Sequence, residues 1–295
     1  MLSVYAPQYL IAEISGRDAE RYLNARLTQN IKQLQVGQSC RAAALAPNGK
    51  TDLVLNIVRT KPDSFLTLCH DIDFLEFKNR LERYKVSDQF SLADLSTNLR
   101  CLYFFKQTAD LDQNLLLAIF SKQNLPAPLL LADHLFGFAG IHCITDQTNA
   151  NALLKEEFEL ISQERAQDLR YIARVPSFPE EINESWLYID NQDWSTISDQ
   201  KGCYTGQEVV EKIRTLGKLP LVLVSFECEQ NFNPKTLILK DHASNKVGEI
   251  CSFRKVISAK RTYGFARIKP QFLVEKNMTL NHEDSVLVFA RCHKC

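Results

Sequence analysis

No stretch of this sequence reaches the roughly 18 consecutive apolar residues of a membrane-spanning helix. An excess of one charge is missing too: 35 Lys and Arg balance 35 Asp and Glu, and the pI is near 7.0. That balance argues against wholesale binding to nucleic acid or to a membrane surface. The first residues, MLSVYAPQYLIAEIS, lack a basic segment followed by a long apolar run, so no secretory signal is expected. There is no internal repeat and no low-complexity segment. Nor is there an H-E-x-x-H, a G-x-x-x-x-G-K-[ST] or a G-x-S-x-G, so none of these motifs assigns a chemistry. The nine cysteines are scattered, odd in number and mostly set among apolar neighbours. That is not a secreted disulfide framework; it fits buried thiols in a reducing cytoplasm.

What is present is ordinary globular composition, 45% hydrophobic and 24% charged over 295 residues. The first hundred residues read strand, helix, hairpin, strand, helix, strand, an α+β arrangement rather than a βαβ series. Leu10 to Ile14 is an apolar strand, and Arg17 to Leu27 has helical spacing at Ala19, Tyr22, Leu23 and Leu27. Ser39 to Leu45 and Thr51 to Val58 flank Pro47-Asn48-Gly49, which predicts a hairpin. Ser64 to Cys69 predicts a strand, Asp73 to Tyr84 a helix and Phe90 to Leu95 a strand. More short strands follow to residue 150, and Ala152 to Leu169 predicts one helix. After Gly217 the texture changes to short strands: Leu219 to Cys228, Thr236 to Lys240, Lys246 to Phe253 and Tyr263 to Ile268. That is the pattern of a small antiparallel β-barrel. Residues 217–295 also hold 13 Lys and Arg against 7 Asp and Glu. The expected division is therefore an α+β region, 1–216, and a β-barrel domain, 217–295.

The most specific stretch is Lys201-Gly202-Cys203-Tyr204-Thr205-Gly206-Gln207-Glu208. Thr205 and Glu208 have the spacing of a capping box, predicting a helix from Gly206 to about Leu216. Val209, Val210, Ile213 and Leu216 would be its apolar stripe and Gly217 its terminator. Cys203 then lies just before a helix N-terminus, and Lys201 adds a cation, a setting that favours thiolate. The bland alternative is a tight turn before a helix.

These eight residues resemble the signature of the YgfZ family, folate-binding relatives of the glycine-cleavage T-protein (aminomethyltransferase) linked to iron–sulfur proteins and tRNA modification. Ile14 to Ala19, Tyr22-Leu23, Leu27 to Asn30 and Ala42 to Lys50 resemble other parts of that family, so the likeness spans nearly the whole chain. The helix after the motif departs from the family pattern, reading Val210-Glu211-Lys212. The resemblance implies a ring-like α+β region around a central cavity, closed by the β domain. It also implies tetrahydrofolate, or a one-carbon-substituted form, as ligand. Such a ligand wants an aromatic or apolar slot, a carboxylate for the pterin nitrogens and a cation for the glutamate tail. On that basis Tyr9 is a candidate aromatic contact, Glu208 a candidate pterin ligand, and Arg41 and Arg174 candidates for the tail. Tyr9, Arg41 and Arg174 also read as surface residues, and Glu208 as a helix cap. Cys203 would act as redox thiol or as iron or sulfur ligand toward iron–sulfur client proteins.

Two further features are weaker. Cys292-His293-Lys294-Cys295 is a lone C-x-x-C without a second half-site. Six cations and no acid between Arg254 and Lys269 suggest an RNA-facing strip or, more simply, a solvated strand face. Isolated histidines such as His70 and His142 read as structural. Three functions compete: a folate-binding accessory protein using Cys203, an aminomethyltransferase-type one-carbon transfer enzyme, and a scaffold without ligand.

Overall fold

Strand β1 (Ser3–Tyr5) and strand β2 (Tyr9–Ser15) lead into helix α1 (Ala19–Arg26). The predicted hairpin follows as β3 (Ser39–Leu45) and β4 (Thr51–Lys61), with Gly49 in the turn at φ +78°. That conformation is where Gly is needed. Then come β5 (Ser64–His70), α2 (Phe74–Glu82), β6 (Ser91–Asp94) and β7 (Leu99–Phe105). The middle of the chain adds α3 (Gln113–Lys122), β8 (Leu129–Asp133), β9 (Gly140–Asp146), α4 (Gln147–Leu153), β10 (Glu159–Ile161) and α5 (Gln163–Ile172). Helix α6 (Gln207–Leu216) precedes β11 (Val222–Glu229), β12 (Ile238–Lys240), β13 (Lys246–Val256), β14 (Arg261–Ile268), β15 (Thr279–His282) and β16 (Ser285–Arg291). This is a computed structural model; it describes residues 2–107, 110–123, 125–155, 157–241, 243–273, 279–282 and 285–292.

Three sheets organise these elements. One has the order β3-β4-β5-β2-β6, the second β10-β1-β7-β9-β8, and the third β12-β13-β14-β11-β16-β15. The first two meet face to face. Ile11, Val58, Leu66 and Leu68 from one pack against Cys101, Leu131 and Ile144 from the other. Successive strand residues point to opposite faces. So Leu10, Ala12 and Ile14, the neighbours of Ile11, bury instead with α1, α2 and the hairpin. That larger core also takes in Leu223 and Phe265, which ties the third sheet to the rest.

The single helix expected over Ala152 to Leu169 does not form. Residues 159–161 pair in parallel with β1, a long-range partner that local spacing cannot reveal. Ser162 then caps a new helix, its Oγ accepting from Arg165 N at 3.2 Å. The third sheet, where a small antiparallel β-barrel was expected, is a half-barrel. Its edge strands β12 and β15 do not pair among the described residues, although His282 Nε2 reaches Thr236 O at 2.9 Å beside the β12 edge.

Candidate functional site

Where the two five-stranded sheets meet, they leave a cleft of about 490 Å³, mouth included. Leu55, Leu68, Leu135, Val175 and Phe178 supply apolar wall; Tyr9, Arg41, Asn56, His70, Asp133 and Arg170 supply polar groups. A second chamber shares Arg41, Asn56 and Asp133 and adds Ser39, Cys40 and His134. Two candidates from the sequence, Tyr9 and Arg41, are thus brought together. Tyr9 begins β2, and its ring meets His70 and His142 edge-on at 5.2 and 5.4 Å. Burial pushes its phenol well above its usual pKa, so it stays a donor.

The centre of the cleft is a residue that sequence reading missed. Asp133 ends β8, and its carboxylate is held from three directions. His142 Nε2 lies 2.8 Å from Oδ2, Asn56 Nδ2 donates to Oδ2 at 3.1 Å, and His134 N donates to Oδ1 at 2.7 Å. Burial would raise the Asp133 pKa. The His142 hydrogen bond, attraction to His142 and Arg41 and the His134 N–H outweigh it, and the carboxyl falls well below its usual range. An anion is therefore fixed in a largely apolar cleft. His142, read as a structural histidine, is fully buried and touches Cys101 Sγ with Nδ1 at 3.5 Å. Strand register explains the grouping. Leu131 pairs with His142 and Tyr103 pairs with His142, so Asp133 and Cys101 are its diagonal neighbours on one sheet face. The available signal was an acid closing the apolar run Leu129-Leu130-Leu131-Ala132.

The Cys203 motif lies elsewhere. Helix α6 starts at Gln207 with Gly206 as N-cap at φ +84° and without a side-chain cap bond, so the expected Thr205–Glu208 capping box is absent. A Cβ on Gly206 would stand 2.6 Å from Ala46 O and 2.8 Å from Leu45 Cβ. The motif is thus seated on the β3–β4 hairpin by backbone contact, and that contact selects Gly where a capping Thr was expected. Gln207 Oε1 instead accepts from Tyr204 N at 3.3 Å, and Tyr204 is buried. Lys201 anchors the other end. Its ammonium donates to the carbonyls of Asn24, Leu27 and Gln29, the last at 2.8 Å, closing the end of α1. Burial lowers its pKa to about 8, opposed by Cys40. It is engaged by these carbonyls and is not a loose cation beside the thiol. Gly202 and Cys203 are exposed, and Gly202 needs no unusual conformation. Neither Cys203 nor the exposed Glu208, expected as a pterin ligand, is among the residues that line the cleft.

Arg174 is also outside the cleft wall, though Val175 beside it is inside. Its guanidinium points to Glu227 of β11 at 3.5 Å. Arg170 takes the interior place, with Nη1 on Glu181 Oε2 at 2.8 Å and on Val175 O at 3.1 Å. In the basic stretch, Arg254 pairs with Asp168 at 2.5 Å, Arg261 pairs with Glu227 at 3.1 Å and Arg267 is buried. These partners break up the cationic strip. Of the terminal C-x-x-C, residues 293–295 lie outside the described residues. Among the described residues no cluster of three or more His, Cys, Asp or Glu is placed to hold a metal ion. Nor is any helix there long and apolar enough to cross a membrane.

The backbone superposes on the glycine cleavage system aminomethyltransferase T of Bartonella henselae with a TM-score of 0.79, over 98% of this chain and 85% of that one. This chain has the aminomethyltransferase T fold. Identity in that comparison is 14%, so the likeness speaks for the fold alone. In sequence the chain is similar to a chloroplastic protein of Arabidopsis thaliana provisionally named a transferase, with 22% identity over 280 residues. The match takes in 88% of this chain and 63% of the Arabidopsis one, so this chain spans less than two thirds of that relative's length. An uncharacterized protein of Haemophilus influenzae shares 27% identity over 84 residues, 28% of this chain and 30% of that one. No protein-family model matches the chain.

Proposed function

We propose that this protein binds a reduced folate, tetrahydrofolate or a one-carbon-substituted form, in the cleft between its two five-stranded sheets. We propose further that it acts as a YgfZ-type accessory protein for iron–sulfur enzymes, and thereby for tRNA modification, presenting Cys203 to client proteins. The observation that carries the ligand reading is the cleft's donor set. An apolar wall, the aromatic Tyr9, one fixed carboxylate at Asp133 and the cation of Arg41 together match a flat heterocycle with ring N–H donors and an anionic tail. The residues fit the group: Asp133 and Asn56 would hold the pterin edge, Leu55, Leu68 and Phe178 its faces, and Arg41 the tail. When bound, a reduced folate supplies a carrier for one-carbon units. The exposure of Cys203, away from the cleft, suits exchange with a protein surface better than chemistry on the folate.

A second reading keeps its place because of Asp133. Aminomethyltransferase-type transfer calls for a carboxylate beside the folate, and the cleft has one. Two variants separate the readings. Isothermal titration with tetrahydrofolate and its methylene and formyl forms tests the ligand: absence of heat with all three rejects it. If Cys203→Ser still restores iron–sulfur enzyme activity in cells lacking the native protein, the accessory role of the thiol is wrong. If Asp133→Asn alone abolishes one-carbon transfer from an aminomethyl donor, the transferase reading prevails.

A further inference from the structure

Three side chains lie in a diagonal row across β7, β9 and β8: Cys101, His142 and Asp133. His142 is fully buried beside the apolar packing between the sheets, with Leu131 as its register partner on β8. Its two ring nitrogens both have partners, Asp133 Oδ2 at 2.8 Å on one side and Cys101 Sγ at 3.5 Å on the other. A carboxylate oxygen accepts only, so Nε2 carries the hydrogen in that contact. Cys101 is buried, and burial pushes its thiol well above its usual pKa, so it keeps its hydrogen. The ring is also braced by Tyr103, with centroids at 4.8 Å, and by Tyr9 at the cleft wall. Partners at both nitrogens and two neighbouring aromatic rings hold the imidazole in place.

Asp133 is what this arrangement serves. An ionised carboxylate offers about four acceptor positions. Two donors sit on Oδ2 and one on Oδ1, so the carboxylate is oriented by the protein where it lines the cleft. We propose that His142 is the positioning residue that holds Asp133 as the acceptor for the ligand's ring N–H groups, with Cys101 fixing the ring from behind. The proposal rests on the folate reading for the ligand's identity and not for the Asp133–His142 relation itself. His142 touches no ligand; it acts through Asp133. The other titratable groups facing Asp133 are Arg41 on β3, Tyr9 on β2, His70 on β5, Tyr103 on β7, Arg170 on α5 and the adjacent His134. Arg41 and Arg170 remain cations, so removing the His142 donor takes away the largest influence that lowers the Asp133 pKa, and the carboxyl should titrate at higher pH than in wild type.

The test uses the full-length protein. Side-chain carboxyl 13C shifts are followed against pH in the ligand-free protein, and tetrahydrofolate affinity is measured by calorimetry from pH 5 to 8. In the wild type, Asp133 should remain ionised well below the ordinary aspartate pKa of about 3.9, and affinity should be flat with pH. His142→Gln keeps an N–H near the Nε2 position and should bind within about threefold of wild type. His142→Met removes the donor. It should weaken binding about tenfold at pH 7, the worth of one hydrogen bond to a charged group, and lose more affinity as pH falls. Asp133→Asn should bind weakly with no pH dependence. Wild-type affinity in His142→Met at every pH, or in Asp133→Asn, would overturn the proposal. So would an Asp133 carboxyl titrating at its ordinary pH in the wild type, a result that needs no variant to fold. If wild type binds no folate, the ligand reading fails, and the carboxyl titration alone then decides whether His142 holds Asp133.

Discussion

Three glycines around the Cys203 motif should respond to alanine in three different ways. Gly206 is the demanding one. Its φ of +84° is left-handed, and its Cβ position is blocked at 2.6 Å by Ala46 O and at 2.8 Å by Leu45 Cβ. The conformation alone costs an L-residue about 1–2 kcal/mol. Forcing a methyl group against backbone adds about 1–3 kcal/mol. Gly206→Ala should therefore lose about 2–5 kcal/mol. Gly217 has φ +64° and open space, so Gly217→Ala should show the conformational cost alone, about 1–2 kcal/mol. Gly202 has open space and no positive φ, so Gly202→Ala should stay within about 0.5 kcal/mol of wild type. Urea denaturation followed by far-UV circular dichroism measures all three. In a chain this long, the Gly206 loss corresponds to a Tm lower by at least about 4 °C. If Gly206→Ala matches Gly202→Ala within error, the backbone seat on the β3–β4 hairpin is not what positions the motif.

Iodoacetamide under native conditions should label Cys203 before Cys40, Cys69, Cys101, Cys143, Cys228, Cys251 and Cys292, all at least half-buried; peptide mapping that finds any of these first contradicts the placement. Cys203→Ser should leave tetrahydrofolate affinity within about twofold, since the residue is off the cleft wall, and a calorimetric loss of tenfold would put it back in. Asp52 is buried against Arg26 at 2.6 Å and Arg83 at 2.7 Å, so Asp52→Asn should cost about 3–5 kcal/mol in urea unfolding by stranding the buried Arg26 charge. Burial raises Asp190 from 3.8 to about 7 in the folded protein, against the attraction of Arg267. The folded state then binds that proton more tightly than the unfolded chain, so this contribution to stability is complete below about pH 4 and is lost as pH rises through 7. The stability of wild type relative to Asp190→Asn should accordingly fall between pH 4 and 7, and a constant difference would refute the assignment.

Local chemistry was legible wherever one short segment decided the outcome. Pro47-Asn48-Gly49 sets a turn whichever strands it joins, and the flanking strands begin and end within a few residues of expectation. Gly217 ends α6 in the left-handed conformation its sequence suggests. The strand texture after Gly217 marks the third sheet, because alternation and turn residues are properties of neighbours in the chain. The resemblance carried by Lys201 to Glu208 pointed to relatives of the glycine-cleavage T-protein, and 98% of the chain superposes on an aminomethyltransferase T fold. What the sequence could not state is distance between segments. Residues 159–161 form a strand because β1 offers an edge, and no periodicity within Ala152 to Leu169 says so. Thr205 and Glu208 have capping-box spacing, but contact with Ala46 and Leu45 puts the helix start at Gly206. Asp133, His142 and Cys101 are 41 residues apart at the extremes, and only the register of three strands sets them in one row. Tyr9 and Arg41 become cleft residues because two sheets pack face to face, while Arg174 turns to Glu227 of the third sheet and Glu208 is exposed on α6. A side chain's identity fixes the bonds it can make; the tertiary structure chose its partners, because burial and hydrogen bonding depend on atoms that the sequence places far apart.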